Sequence, residues 1–345
     1  MKIGYLYTSD DRDYHEALCM IAHAKDIEFF VFRLSDVDFE KKEINALFWN
    51  KDKGGLRRKK TDYPEIVDSR VMKRNEREEY QSLYKHCLMS GVSLYDKQYT
   101  FDLINNSECS NYLINTHKYE AAELNNYLDK YNEIIIKPLG GNKGRGVCKL
   151  SRKDGLYVLS THNSIEHLDE NEYKTKYGDD FVSTETIVQP YLALSTNDDA
   201  PFDVRVNVHR GRNGRWTKIG KLIRVAKKGG LVSNIAGGGY LLARGVNRFY
   251  ENEINADPKK INSCIDEIAA KVPDIIQRGF TNEIQTLGFD IGVNRINGEV
   301  KIIEVNGNPA IYHPIQLTTM LTKFKYYEYL HNNREPLMKK QLGLE

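Results

Sequence analysis

No apolar run in this chain approaches the length that spans a bilayer, and its opening residues, MKIGYLYTSDD, turn acidic where a signal peptide would be apolar. Cysteine is sparse and scattered. Cys19, Cys87, Cys109, Cys148 and Cys264 form no CxxC pair, which argues against a disulfide framework or a thiolate zinc site and for reduced thiols. Net charge is nearly absent, with 50 Lys and Arg against 48 Asp and Glu, so nucleic acid is not the expected main partner. Internal repeats, low-complexity tracts and any Ser/His/Asp or Cys/His constellation are missing too, and His209 and His313 stand isolated. The expectation is a soluble cytoplasmic protein with neither nucleic-acid nor membrane partners. Its 345 residues suffice for two or three packed subdomains.

What the chain does have is acidic and amide groups placed inside strand-like runs. Leu287 to Pro309 reads LGFDIGVNRINGEVKIIEVNGNP, two apolar runs around the turn-former Asn297-Gly298. Asp290 interrupts the first run, and Glu304 and Asn306 close the second. Residues two apart in a strand share a face, so Glu304 and Asn306 point the same way. A two-residue Asn-Gly loop would pair Asp290 with Val305 and send its carboxylate to the other face. A three-residue loop, Ile296-Asn297-Gly298 with Gly298 left-handed, pairs Asp290 with Glu304. The second register is preferred, because neighbouring carboxylates inside a sheet repel unless a cation lies between them. Two carboxylates and an amide oxygen suit magnesium, with manganese as the alternative.

Upstream, Lys2–Tyr7, Ile27–Leu34 and Glu43–Trp49 read as strands and Tyr14–Lys25 as a helix, a rhythm that predicts a small α/β domain with a partly parallel sheet. Lys51 to Lys60, KDKGGLRRKK, reads as a charged, solvated loop. Tyr63–Arg70 is a further strand, followed by a polar helix over Asn75–Met89. Lys97 ends the strand-like run from Val92, and Tyr99–Asn105 reads as a helix. In Ile134 to Leu150, IIIKPLGGNKGRGVCKL, a strand delivers Lys137, and Gly140, Gly141, Asn142, Lys143, Gly144, Arg145 and Gly146 form a loop before a second strand. Glycines let backbone N–H groups approach phosphate oxygens. With no helix after the loop and no GK[ST], it is neither a Walker loop nor a Rossmann fingerprint, and it reads as a hairpin lid over phosphates.

Thr186 to Leu194 is an apolar strand that leaves its sheet at Gln189-Pro190. Phe202 to Val208, FDVRVNV, alternates strictly and puts Asp203, Arg205 and Asn207 on one face, an odd face to bury unless it lines a polar site. Trp216–Ala226 is a strand carrying Arg224 among apolar residues, and Ser233 to Gly239 is a Gly-rich loop with Asn234. Asp257–Phe280 reads as an amphipathic helix that Pro258 helps to start. Tyr312–Glu345 reads as a basic helical tail with its charges in solvent.

In this order the pieces resemble the ATP-grasp superfamily, most closely its YheC/YheD-type, spore-coat-associated branch. The resemblance rests on Tyr63–Arg70, Asp96-Lys97, Ile136-Lys137-Pro138 with its Gly loop, Val188-Gln189-Pro190 and Phe202-Asp203-Val204-Arg205-Val206. It continues through Arg224-Val225-Ala226, Ser233-Asn234 and Glu304-Val305-Asn306, and so covers about Tyr63 to Pro314. The run from Arg224 to Gly239 is also similar to part of the ribosomal-protein glutamate ligases, with Val232-Ser233-Asn234 in place of Arg-Ser-Asn.

The resemblance implies an α/β architecture of the α+β ATP-grasp kind. A small N-terminal domain (1–95) would precede two subdomains that clamp ATP (96–335, lid about 130–190), followed by a tail (336–345). Lys97 and Lys137 would contact the α- and β-phosphates beneath the Gly140–Gly146 loop. Adenine would lie against Gln189, Pro190, Tyr191 and Leu192, and Asp203 would contact ribose. Asp290, Glu304 and Asn306 would hold magnesium, and Arg205, Arg224 and Asn234 would stabilise the transferring phosphoryl group. The implied activity is ATP-dependent ligation of a small-molecule or peptide carboxylate to an amine through an acyl phosphate. The alternatives are a kinase on the same fold or a non-catalytic nucleotide-binding coat protein.

Overall fold

The computed structural model describes every residue except 70–76, 92–93, 95–96, 139–145, 162–163, 178–185, 229–237 and 345, and residues 77 and 78 by backbone alone. Three sheets organise the chain. The first contains β1 (Lys2–Leu6), β2 (Glu28–Phe32), β3 (Val37–Asp38), β4 (Glu43–Trp49), β5 (Leu56–Asp62), β6 (Ile66–Ser69) and β7 (Leu88–Ser90). Its order is β3-β4-β2-β1-β6-β7, with β5 on the free side of β4. The strands β2, β1, β6 and β7 run parallel and the rest antiparallel, the partly parallel sheet expected from the βαβ rhythm. Helices α1 (Arg12–His23) and α2 (Arg77–His86) connect its strands.

The basic run expected to be a loop is β5. Leu56 to Asp62 pairs along the whole of β4, so only the first half of the run, residues 51–55 with left-handed Gly54 and Gly55, is the expected loop. A row of Arg57, Arg58, Lys59 and Lys60 suits an outermost strand, whose unpaired edge is protected from association by charge.

The second sheet, order β12-β11-β10-β9-β13-β8, is built from β8 (His117–Lys118), β9 (Glu133–Pro138), β10 (Cys148–Lys153), β11 (Leu156–Ser160), β12 (Ile165–Leu168) and β13 (Thr186–Pro190). Helices α4 (Leu124–Tyr131) and α5 (Glu170–Tyr177) pack their tyrosines and leucines against Ile134, Ile136, Leu150 and Leu159. Between α2 and this sheet lies α3 (Lys97–Asn105), so Lys97 opens a helix.

The third sheet, order β16-β15-β14-β17-β18, comprises β14 (Phe202–Arg210), β15 (Trp216–Val225), β16 (Tyr240–Leu242), β17 (Thr286–Val293) and β18 (Val300–Asn306). Its apolar face (Val204, Val206, Val208, Phe289, Ile291, Ile302) is covered by α6 (Val246–Glu253) and by α7 (Pro258–Gln277), through Ile261, Ile265, Ile268 and Val272. Asp257 caps α7, its carboxylate accepting from the Lys259 N–H at 2.9 Å, with Pro258 in the first turn.

The β17–β18 pairing sets Asp290 opposite Glu304, as the preferred register required, but by another route. Asn294 pairs with Glu299 across a four-residue loop, Arg295 to Gly298, and Gly298 is left-handed at φ +70°. That loop alone would place Asp290 opposite Ile303. A bulge at Ile303, between the Ile291–Ile302 and Asp290–Glu304 pairs, restores the match.

The C-terminal helices are no peripheral tail. Helix α8 (His313–Asn332) buries Met320, Phe324, Tyr326, Tyr327 and Leu330 in the same core as Ile3, Tyr5 and Ile66 of the first sheet and Leu18 of α1. Helix α9 (Arg334–Leu342) presents Gln341, whose amide accepts from the Met89 N–H at 2.8 Å and donates to the Cys87 carbonyl at 3.0 Å. Lys323, read as a solvated charge, is 3% exposed and pairs with Asp68, which is 0% exposed. No helix among the described residues is long and apolar enough to cross a membrane.

Candidate active site

The polar face of the third sheet carries the expected residues as neighbours. Asp203, Arg205, Asn207 and His209 alternate along β14 with the valines that enter the core. Directly opposite residues share a face, and Arg205 lies opposite Asp290, which lies opposite Glu304. One row thus runs from a guanidinium to two carboxylates. The next pairs Asp203 with Arg224, and a third sets Asn207 and Asn306 on either side of Gly288. At Gly288 a Cβ would lie 2.4 Å from Pro309 Cβ, so only glycine lets the chain leaving β18 fold down onto this face. There Asn207 donates to the Ala310 carbonyl at 3.4 Å.

Charges along these rows are neutralised pairwise. Arg205 grips Asp290 with two nitrogens, Nε to Oδ1 and NH2 to Oδ2, the second at 3.1 Å. Arg224 holds Asp203 the same way, with Nε to Oδ1 at 2.6 Å, and reaches Asp290 Oδ2 at 3.0 Å. Burial works against the charge on Arg224, but Asp203 and Asp290 outweigh it and hold the guanidinium more firmly protonated than usual. The two oxygens of Asp203, expected at a ribose, each accept a hydrogen bond from Arg224. The Tyr312 side chain lies near enough to Arg224 to add to its hold on the proton. Nothing in the sequence around Tyr312 announced that contact.

Two lysines complete the cluster from outside the sheet. Lys97, at the start of α3, reaches Glu304 at 2.7 Å. Lys137, near the end of β9, is close enough to feel both groups. Desolvation pushes its ammonium below the usual lysine value, Glu304 acts in the opposite sense, and Lys97 lowers it further. A partly desolvated lysine between a lysine and a carboxylate is a ready anion contact.

The expected adenine segment sits at the end of β13. The Tyr191 N–H donates to the Glu133 carbonyl at 2.9 Å. The Pro190 carbonyl belongs to the same trans peptide and points the opposite way, away from β9. Gln189, expected to border adenine, is buried and donates to Thr116 at 2.7 Å. Leu192 accepts from the Leu194 N–H at 2.8 Å, and the Lys149 ammonium lies 3.9 Å from the Tyr191 ring centroid. The β9–β10 hairpin is present, with Ile136 opposite Cys148. Gly140, Gly141, Asn142, Lys143, Gly144 and Asn234 lie outside the described residues.

The donor set fits a hard divalent cation. Asp290 Oδ1 accepts one hydrogen bond and Oδ2 two, leaving Oδ1 a lone pair. Glu304 Oε2 lies beyond the Lys97 contact made by Oε1. Asn306 brings an amide whose buried nitrogen has no hydrogen-bond partner. Among the described residues no three His, Cys, Asp or Glu cluster, so a third protein ligand beside Asp290 and Glu304 would have to be an amide such as that of Asn306. Few protein ligands suit a cation that shares its shell with phosphates and water.

The profile of the YheC/D-like ATP-grasp family matches residues 88–331, most of the chain and all of this site. The chain belongs to the YheC/D-like ATP-grasp family. It is 26% identical over 216 residues to the endospore coat-associated protein YheD of Bacillus subtilis (strain 168), a match covering 58% of this chain and 45% of that protein. To YheC of the same organism it is 23% identical over 325 residues, 89% of this chain and 88% of the relative. Among solved structures, the ATP-grasp ligase PsnB complexed with a minimal precursor superposes with a TM-score of 0.54 at 11% identity, covering 95% of this chain and 99% of PsnB. The fold is that of the ATP-grasp ligases, which use ATP and a divalent metal.

Proposed function

We propose that this YheC/D-like ATP-grasp protein is a carboxylate–amine ligase that forms an amide through an acyl phosphate and releases ADP and phosphate. The carrying observation is a single sheet face on which Asp290, Glu304 and Asn306 stand beside Arg205 and Arg224, with Lys97 paired to Glu304 and Lys137 near enough to feel its charge. PsnB, which shares the fold, is itself an ATP-grasp ligase.

Each residue has a role that follows from its place. Lys97 exchanges Glu304 for phosphate oxygens when nucleotide enters, and Lys137, already short of solvent, joins it. The Pro190 carbonyl accepts from the adenine amine. Asp290, Glu304 and Asn306 would hold magnesium, which would neutralise phosphate charge. A substrate carboxylate oxygen then bonds to the γ-phosphorus, and the bond to the bridging oxygen breaks with its electron pair leaving on ADP. The amine nitrogen attacks the acyl carbon, phosphate departs with the carbon–oxygen bond pair, and the amine gives up a proton. Arg205 and Arg224, fixed by Asp290 and Asp203, stabilise the charge that builds on the phosphoryl and acyl oxygens. The chain itself contributes no nucleophile.

Labelling tests this. With both carboxylate oxygens of the acid as oxygen-18, one label is expected in the released phosphate for each amide formed. Label retained wholly in a phosphorylated product, independent of amine, would instead identify a kinase.

A further inference from the structure

Beyond the two arginines, on the side away from the metal carboxylates, the polar face turns apolar. Leu222 lies opposite Arg205 and Leu241 opposite Arg224, so both share the face of the reacting groups. Leu222 packs with Ile219 and Ile315, and half-buried Leu241, Ile311 and Tyr312 close around them. Across the sheet from β18 to β16 the order is carboxylates, then guanidinium groups, then this hydrocarbon cluster. Tyr312 borders the last two, packed in the apolar cluster with its side chain near Arg224.

We infer that the acid partner of the ligation is a monocarboxylate with an apolar alkyl or aryl body, its carboxylate at Arg205 and Arg224 and its body on Leu241, Ile311 and Tyr312. This rests on the ligase reading for the fate of the acid but not for its binding. A second carboxylate, as in glutamate, would have to be desolvated against the side chains of Leu222, Leu241 and Ile311, and burying a charge against hydrocarbon is strongly unfavourable. The surface is partly open, as a substrate seat requires, and Tyr312 links it to the polar face.

The test separates seat from chemistry by using the full chain loaded with ADP and magnesium, which cannot turn over. Calorimetry with hexanoate, 3-phenylpropanoate and glutamate is expected to show the two apolar acids binding about tenfold or more tightly than glutamate. In Leu241→Asp that preference is expected to vanish, and the ADP-induced rise in melting temperature on the same sample reports whether the variant has folded. If it has not, Ile311→Ser is read in its place with the same expectation. Glutamate binding as tightly as the apolar acids overturns the inference. So does failure of any acid to bind at millimolar concentration, or a preference untouched by the folded variant. Apolar binding without amide formation would keep the seat and remove the ligase reading, whereas amide formation driven by glutamate would do the reverse.

Discussion

Lys323→Met is expected to destabilise the protein by about 3–5 kcal/mol, because it strands Asp68 as an uncompensated charge in the core. Asp68 is wholly buried on β6 and meets Lys323 and Tyr327 of α8, with Gln285 at 3.3 Å. The same four groups join the first sheet, the C-terminal helix and the start of β17, so the loss should be felt as poorer coupling of the N-terminal lobe to the rest. Denaturant unfolding measures it, and the double variant Asp68→Asn with Lys323→Met is expected to recover much of the loss by removing the stranded charge. A cost below about 1 kcal/mol, the range of exposed pairs, would contradict this account. The pH dependence has a definite sign. Burial alone would raise the Asp68 pKa, but the charge of Lys323 and the hydrogen bonds from Lys323, Tyr327 and Gln285 bring it below the ordinary value. Its contribution is therefore complete above the unfolded-state pKa of about 4 and is lost as the pH falls through the lower folded-state value.

Arg205→Lys is expected to lower kcat of the proposed ligation by a factor of about 100–1000, the usual consequence of removing one preorganised donor from a developing oxyanion. Lysine keeps the charge but cannot make the two-point grip on Asp290 and so cannot fix its own position. The effect should fall on kcat more than on KM for ATP, since the lysines and the adenine segment are untouched. A rise in KM with kcat unchanged would show that Arg205 serves ground-state binding alone.

Much of this site was legible because it violates the rules for ordinary strands. Asp290, Glu304 and the Asp203/Arg205/Asn207 alternation put charge where a buried face should be apolar, and only partners across the sheet make that tolerable. Those partners are local in the pairing, so the carboxylate pair could be read from strand periodicity. The bulge at Ile303 could not be, because an inserted residue leaves no mark in an apolar run. The basic run Leu56–Asp62 misled for the opposite reason. Composition read it as solvated, which it is, yet an outermost strand can be both solvated and paired. Least legible was α8. Lys323 and Asp68 are 255 residues apart, and a lysine in a helical pattern gives no sign that its ammonium is buried. The contact between Tyr312 and Arg224 likewise depends on the chain folding back over Gly288, a close approach that only the assembled sheet reveals.

The most direct measurement is thermal unfolding with ATP and magnesium, comparing wild type with Glu304→Ala. A nucleotide that binds only the native state stabilises it by about 2.7 kcal/mol at a hundredfold excess over its dissociation constant. The account predicts a clear rise in the wild-type midpoint that requires magnesium, and loss of that rise in Glu304→Ala, which removes one metal ligand and the partner of Lys97. No rise in the wild type at millimolar ATP, or an undiminished magnesium-dependent rise in the variant, would contradict it.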